Sequence, residues 1–157
     1  MKKLPNVILL VITMLFISIS FSQNHKSDQA SEKKENIKMP TGVPAGLPFS
    51  TAVKFGNFMF LSGLIGTDLK TSELVSPDVG AQTKQCLETL GLILRQAEMD
   101  YSDVVSCTVY LTDLEDYSEM NKAYSAYFPK DPPARTCVQA VKLVREAKVE
   151  LSFIAAK

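Results

Sequence analysis

Pro132-Pro133-Ala134-Arg135-Thr136-Cys137-Val138-Gln139-Ala140-Val141, followed after residues 142–147 by Lys148-Val149-Glu150-Leu151-Ser152-Phe153-Ile154, is the stretch from which the fold is read. Two runs rich in β-branched and apolar residues flank a polar connection, and this predicts an antiparallel hairpin closing the chain. Each run carries one strong charge. Symmetric pairing places Arg135 directly across from Glu150, on one face of the sheet and within about 5.5 Å between Cα atoms. Arginine and glutamate are seldom buried unpaired, so two of them in apolar strands call for a reason. One reason is a small-acid site, in which Arg135 grips a carboxylate through two hydrogen bonds while Glu150 handles a water or a proton. The other is a plain cross-strand ion pair. Spacing alone leaves both open.

Working outward, Val104-Val105-Ser106-Cys107-Thr108-Val109-Tyr110-Leu111 is strand-like, and residues 116–128 return to helical spacing through Tyr117, Met120, Asn121, Tyr124, Tyr127 and Phe128. Asn121 falls on that apolar face, where an amide needs partners: it ties down a neighbouring loop or reaches a pocket. Upstream, Val79, Cys86, Leu87, Leu90, Ile93, Leu94 and Ala97 recur at helical spacing with Gln82, Lys84, Gln85, Glu88, Arg95 and Glu98 between them. Asp78, preceded by Pro77, is the expected N-cap. Earlier still, residues 51–55 and 58–62 are short apolar runs around Gly56-Asn57, a turn signal for a tight hairpin. Gly63 and Gly66 follow, marking a bend, a bulge or a close ligand approach. No lysine or helix start follows them as a phosphate loop requires.

The predicted order is strand, strand, helix, strand, helix, strand, strand. This is an α+β arrangement, a mixed or antiparallel sheet with two α-helices packed on one face. The other sheet face, carrying Val53 and Phe55, stays apolar and uncovered in a lone chain, so self-association is expected.

The first residues are organised differently. Met1-Lys2-Lys3, an apolar run over residues 7–21 and Ser20-Phe21-Ser22-Gln23 describe a secretory signal peptide over residues 1–22, with an uncleaved anchor as the alternative. The protein is therefore expected outside the cytoplasm, periplasmic or secreted. Residues 23–38 mix both charge signs and hold too little apolar surface for a core, so they read as a flexible polar tether. Residues 39–157 suffice for one domain.

The chain has 17 basic and 17 acidic residues, and without residues 1–22 the balance is 15 against 17. That gives no electrostatic footprint for nucleic acid or for an anionic membrane surface, so neither is an expected partner of the cleaved protein. Three cysteines, Cys86, Cys107 and Cys137, match no metal or redox spacing. The single histidine, His25, lies in the tether. Ser-His-Asp and Cys-His catalysis, histidine-ligated zinc and paired-histidine ribonuclease chemistry thus lack their central residue. No Rossmann or Walker pattern occurs, and no cofactor or metal is expected. What remains is chemistry centred on a carboxylate, and Glu150 is the one with a suitable cationic neighbour.

Pro133-Ala134-Arg135-Thr136-Cys137-Val138, with Glu150 in Val149-Glu150-Leu151, resembles the C-terminal signature of the RidA (YjgF) family of imine deaminases. Leu61-Ser62-Gly63-Leu64-Ile65-Gly66 and Met120-Asn121-Lys122-Ala123-Tyr124 resemble two further family motifs. The resemblance implies the RidA, chorismate mutase-like fold and a homotrimer with pockets in the clefts between subunits. It also implies hydrolysis of 2-iminobutanoate or 2-iminopropanoate to the 2-oxo acid and ammonia. Arg135 and Glu150 would be catalytic, and Cys137, Ser62, Gly63, Asn121 and the position of Phe49 would line the site. Departures exist: Phe49 stands where the family has a tyrosine, Leu64 where it has a glutamine, and Ser152-Phe153 where it has a Glu-Ala pair. A small-acid binder without turnover is the other reading of the same residues.

Overall fold

The computed structural model describes residues 33–37 and 48–157, so the signal segment and most of the tether lie outside the described residues. Glu35–Ile37 (β1), read above as tether, is instead a short edge strand. Its polar sequence is no obstacle. An edge strand needs mainly a backbone partner, and β1 has one in Ala52–Phe55 (β2), with Glu35 opposite Lys54 and Ile37 packed against the core. The compact unit that contains the sheet runs from Lys33 to Lys157.

The hairpin expected around Gly56-Asn57 is present: β2 pairs antiparallel with Phe58–Leu61 (β3), and Gly56 takes φ +58° in the turn. A left-handed residue costs glycine nothing, which is why the signal was legible. After a break at Ser62-Gly63 come Leu64–Ile65 (β4) and the helix Val79–Gln96 (α1). Asp78 caps α1 by accepting from the Ala81 amide at 2.7 Å. All seven apolar stripe residues are buried. Gln82, placed above on the polar side, is also buried, because its amide bridges two backbone segments. Its Nε2 donates to the Ser76 carbonyl at 2.8 Å and its Oε1 accepts from the Lys148 amide at 2.9 Å.

Val104–Leu111 (β5) leads to a helix, Tyr117–Ser125 (α2), which stops short of the expected residue 128. Phe128 remains buried beyond its end, stacked against Tyr124 and edge-on to Tyr101. Ala134–Gln139 (β6) and Val149–Ala156 (β7) complete the chain. The sheet order is β1-β2-β3-β7-β5-β6, with β4 also pairing β7.

This order overturns the closing hairpin. β5 lies between β6 and β7, parallel to the first and antiparallel to the second. The β5-α2-β6 segment is a parallel crossover through a helix. Residues 140–148, too long for a tight turn, step over β5 with Arg145 and Glu146 in the left-handed region at φ 58° and 59°.

Both helices cover the face bearing Met59, Leu61, Val109, Leu151 and Phe153. The opposite face carries Phe55, Phe58 and Phe60, each about half exposed, as the alternation of β2 and β3 required. Gly66 packs against the helix: a Cβ there would sit 2.5 Å from the Gln82 Cα. Gly66→Ala is expected to cost about 1–3 kcal/mol through this overlap, whereas Asp78→Ala costs about 1 kcal/mol through loss of the cap; urea denaturation of the two variants checks the ranking.

Candidate functional site

β6 sets Arg135 in register with Cys107 of β5, so its side chain runs under α2. There Nη2 donates to the Tyr117 hydroxyl at 3.3 Å and Nη1 lies 4.0 Å from the Met120 sulfur. The guanidinium carbon is 4.7 Å from the Tyr124 ring centroid and 5.7 Å from that of Tyr117. Among the described residues no carboxylate neutralises it. The four ion pairs among the described residues join Lys84 to Glu88, Lys122 to Glu119, Lys142 to Glu146 and Lys148 to Asp116. Cys137 follows on the same face, half-buried and level with Val109. Asn121, one turn after Tyr117 on α2, is half-buried with no hydrogen-bond partner for its amide among the described residues. It does not tie down a loop.

Glu150 sits elsewhere. On β7 it is level with Tyr110 of β5 and with Ile65 of β4, and its side chain belongs to the open face of the sheet. Gly63 admits it in this position: a Cβ on residue 63 would lie 1.8 Å from Glu150 Oε1, so any side chain there would displace the carboxylate. The Ser62 hydroxyl donates to the Ser50 carbonyl at 2.8 Å and its amide to the Thr51 carbonyl at 3.0 Å. Ser62 thereby pins the segment that carries Phe49, whose ring is 58% exposed.

The seven candidates thus fall into two groups. Arg135, Cys137 and Asn121 gather on the helix side, at the β6 edge, while Glu150, Gly63, Ser62 and Phe49 belong to the region of the β3–β4 break. Along β5 their anchor points, Cys107 and Tyr110, are three residues apart, and an odd spacing on a strand means opposite faces. Two strand spacings add about 10 Å. Neither the cross-strand ion pair nor a site joining Arg135 to Glu150 exists within one chain. Leu64 is buried in the core, so its difference from glutamine changes packing rather than the site's rim. Ser152 donates to the Leu61 carbonyl at 3.2 Å and serves the sheet.

The neighbours of Arg135 are neutral. Burial pushes the Cys107 thiol up to about 12, against the pull of Arg135. Burial likewise raises Tyr124, with the neighbouring Cys107 thiol adding to the shift, and Cys137, where Arg135 again opposes it. Cys86 is raised by burial and secondarily by the charge of Glu150. No thiolate is therefore available at neutral pH, and among the described residues no group of His, Cys, Asp and Glu could hold a metal ion. The arrangement offers a guanidinium on one side and a carboxylate on the other, each without an ionic partner among the described residues. Tyr117 and Tyr124, as the aromatic bed of Arg135, escaped the sequence reading. Their spacing placed them on one helix face, but nothing local shows that β6 runs beneath it.

A family model described as Endoribonuclease L-PSP matches residues 41–157. The chain belongs to this family, the RidA family. It is 41% identical over 130 residues to Reactive Intermediate Deaminase A, chloroplastic, of Arabidopsis thaliana, covering 82% of this chain and 70% of that one. With the 2-iminobutanoate/2-iminopropanoate deaminase of Mus musculus it shares 38% identity over 116 residues, 73% of this chain and 86% of the relative. RidA from an Antarctic Psychrobacter superposes with a TM-score of 0.74 at 33% identity, over 78% of this chain and 99% of that one. The RidA fold expected from the signature motifs is thus present, and the family includes proteins named as imine deaminases.

Thiol titration of the native protein at pH 8 should find Cys137 reacting first, with Cys86 and Cys107 modified only after unfolding. Equal rates for all three would contradict the burial described here.

Proposed function

We propose that this RidA-family protein hydrolyses reactive 2-imino acids to 2-oxo acids and ammonia, in sites assembled between the subunits of a homotrimer. The observation that carries the reading is the split of two unpaired charges. Arg135 with Cys137 and Asn121 forms one half-site, Glu150 with Gly63 and Ser62 the other, and only docking of two copies can bring such halves together. An uncovered face bearing Phe55, Phe58 and Phe60 supplies surface whose burial would drive that docking. The N-terminal segment belongs to the same proposal: export, periplasmic or secreted, after cleavage at residue 22.

The chemistry needs little beyond placement. Arg135 holds the substrate carboxylate through two parallel N–H donors and remains charged at any working pH. Glu150 accepts a proton from water as its oxygen forms a bond to C2, and the C=N electron pair moves to nitrogen. The backbone at Cys137 helps hold the substrate. Return of that proton to nitrogen gives the carbinolamine; a second transfer through Glu150, from the carbinol hydroxyl to the amino nitrogen, breaks the C–N bond as the C=O bond forms, so ammonia leaves and the 2-oxo acid remains. An imine is already electrophilic, so orientation supplies much of the acceleration. Phe49 brings no hydroxyl to the site, and a weaker donor set shifts the preference toward substrates that need less polarisation. A nuclease reading, suggested by the family's descriptive name, lacks both a histidine in the described residues and a net positive charge.

Purified protein is expected to accelerate ammonia release from freshly generated 2-iminobutanoate or 2-iminopropanoate. Arg135→Ala should lower kcat/KM by about 100-fold or more, and Glu150→Gln should lower kcat by about 100-fold. Unchanged rates in both variants would defeat the proposal. Thermal stabilisation by 2-oxobutanoate without turnover would instead mark a binder.

Light scattering is expected to give the mass of three chains of 17.3 kDa each, less any cleaved segment. Phe60→Asp should abolish assembly and hydrolysis together while the circular dichroism stays native. A fully active monomer would overturn the shared site.

A further inference from the structure

Arg135 is an unneutralised guanidinium with a specific bed. Tyr124, buried, holds its ring centroid 4.7 Å from the guanidinium carbon. Tyr117 closes the solvent side: its ring centroid lies 5.7 Å away and its hydroxyl accepts from Nη2 at 3.3 Å. Tyr117 is 43% exposed, so core packing does not account for its placement. An acceptor hydroxyl keeps its own proton, and here that proton is free to point where an anion on Arg135 would sit.

We infer that Tyr117 is the positioning residue of the anion clamp: it fixes the guanidinium plane and adds its O–H to the donors that a carboxylate on Arg135 would meet. This rests on the reading of Arg135 as a carboxylate clamp given above. The physical gain is preorganisation. A long, flexible side chain loses rotamer freedom when it grips a ligand, and contact with two tyrosine rings and one hydroxyl restricts that freedom in advance. The phenol is suited to the task because it is neutral. A carboxylate in its place would hold Arg135 more tightly but occupy the very donors the ligand requires. Selectivity follows: the cradle favours a planar carboxylate, able to take the Arg135 fork and the Tyr117 hydroxyl together, over a small spherical anion.

The test compares wild type, Tyr117→Phe and Tyr117→Ala, using calorimetric binding of 2-oxobutanoate alongside kinetics on 2-iminobutanoate. Tyr117→Phe, which keeps the ring, should raise Kd and KM about tenfold, the scale of one hydrogen bond in a charged site, with kcat within about twofold. Tyr117→Ala, which loses the stacking as well, should raise both further. Melting midpoints should stay near wild type, because Tyr117 is not part of the core. Equal Kd values for wild type and Tyr117→Phe would overturn the inference, as would a lowered melting midpoint with unchanged Kd. Should wild type bind 2-oxobutanoate without hydrolysing the imine, the hydrolase reading falls while the Kd comparison still decides the role of Tyr117. Should wild type bind no 2-oxo acid, the clamp and Tyr117's part in it fall together.

Discussion

Strand β5 has partners on both edges, β6 in parallel and β7 antiparallel, and the remaining architecture is arranged around that double pairing. Because β6 must run parallel to β5, the chain between them has to cross over, and α2 is that crossover. Because β7 returns antiparallel on the other side, residues 140–148 have to step past a whole strand. The helix face of β5 is buried through Cys107, Val109 and Leu111, and a bulge between Val104 and Ser106 turns Val104 to the same side. Its hydrogen bonds, used on both sides, fix the register of the two strands that carry the charges.

That register decides the electrostatics. Had β6 and β7 been neighbours, Arg135 and Glu150 would have neutralised one another and the likeness to a deaminase would have lost its chemistry. Separated by β5 and turned to opposite faces, each keeps its charge and lacks an ionic partner among the described residues. Leaving a half-buried guanidinium unpaired costs free energy. Two tyrosine rings offset part of it through cation–π contact, and the Tyr117 hydroxyl engages Nη2 alone, leaving other guanidinium N–H groups for a ligand. The carboxylate is accommodated by absence of a side chain at Gly63. Both devices keep a charge available rather than satisfied, as a binding half-site requires.

The uncovered phenylalanines belong to the same logic. Alternation along β2 and β3 forces one residue in two outward, and with both helices on one side the other side has no cover. An apolar sheet face and two incomplete charge sites on a single chain are related deficits. Docking of copies would answer both, which is why assembly and activity are coupled in the proposed function.

Much of this was readable from the sequence. The helix α1, with its Asp78 cap and buried stripe, the Gly56-Asn57 turn, the alternation of β7 and the apolar second face are local or periodic features, and periodicity survives in any fold that uses it. The signature around Arg135 and Glu150 was likewise a matter of residues in order. Partnering was not. Two adjacent strand-like runs read as a hairpin, and no local signal shows that a strand some 30 residues earlier will enter between them, since hydrogen-bond partners are set by global packing. For the same reason Gln82 passed for a solvated residue until its two backbone partners came together, and Glu35–Ile37 passed for tether until β2 gave it an edge. The sequence by itself determined which residues are the candidates for the chemistry; only the tertiary structure decided that they face apart, because pairing across β5 is a long-range choice and side-chain direction follows from it.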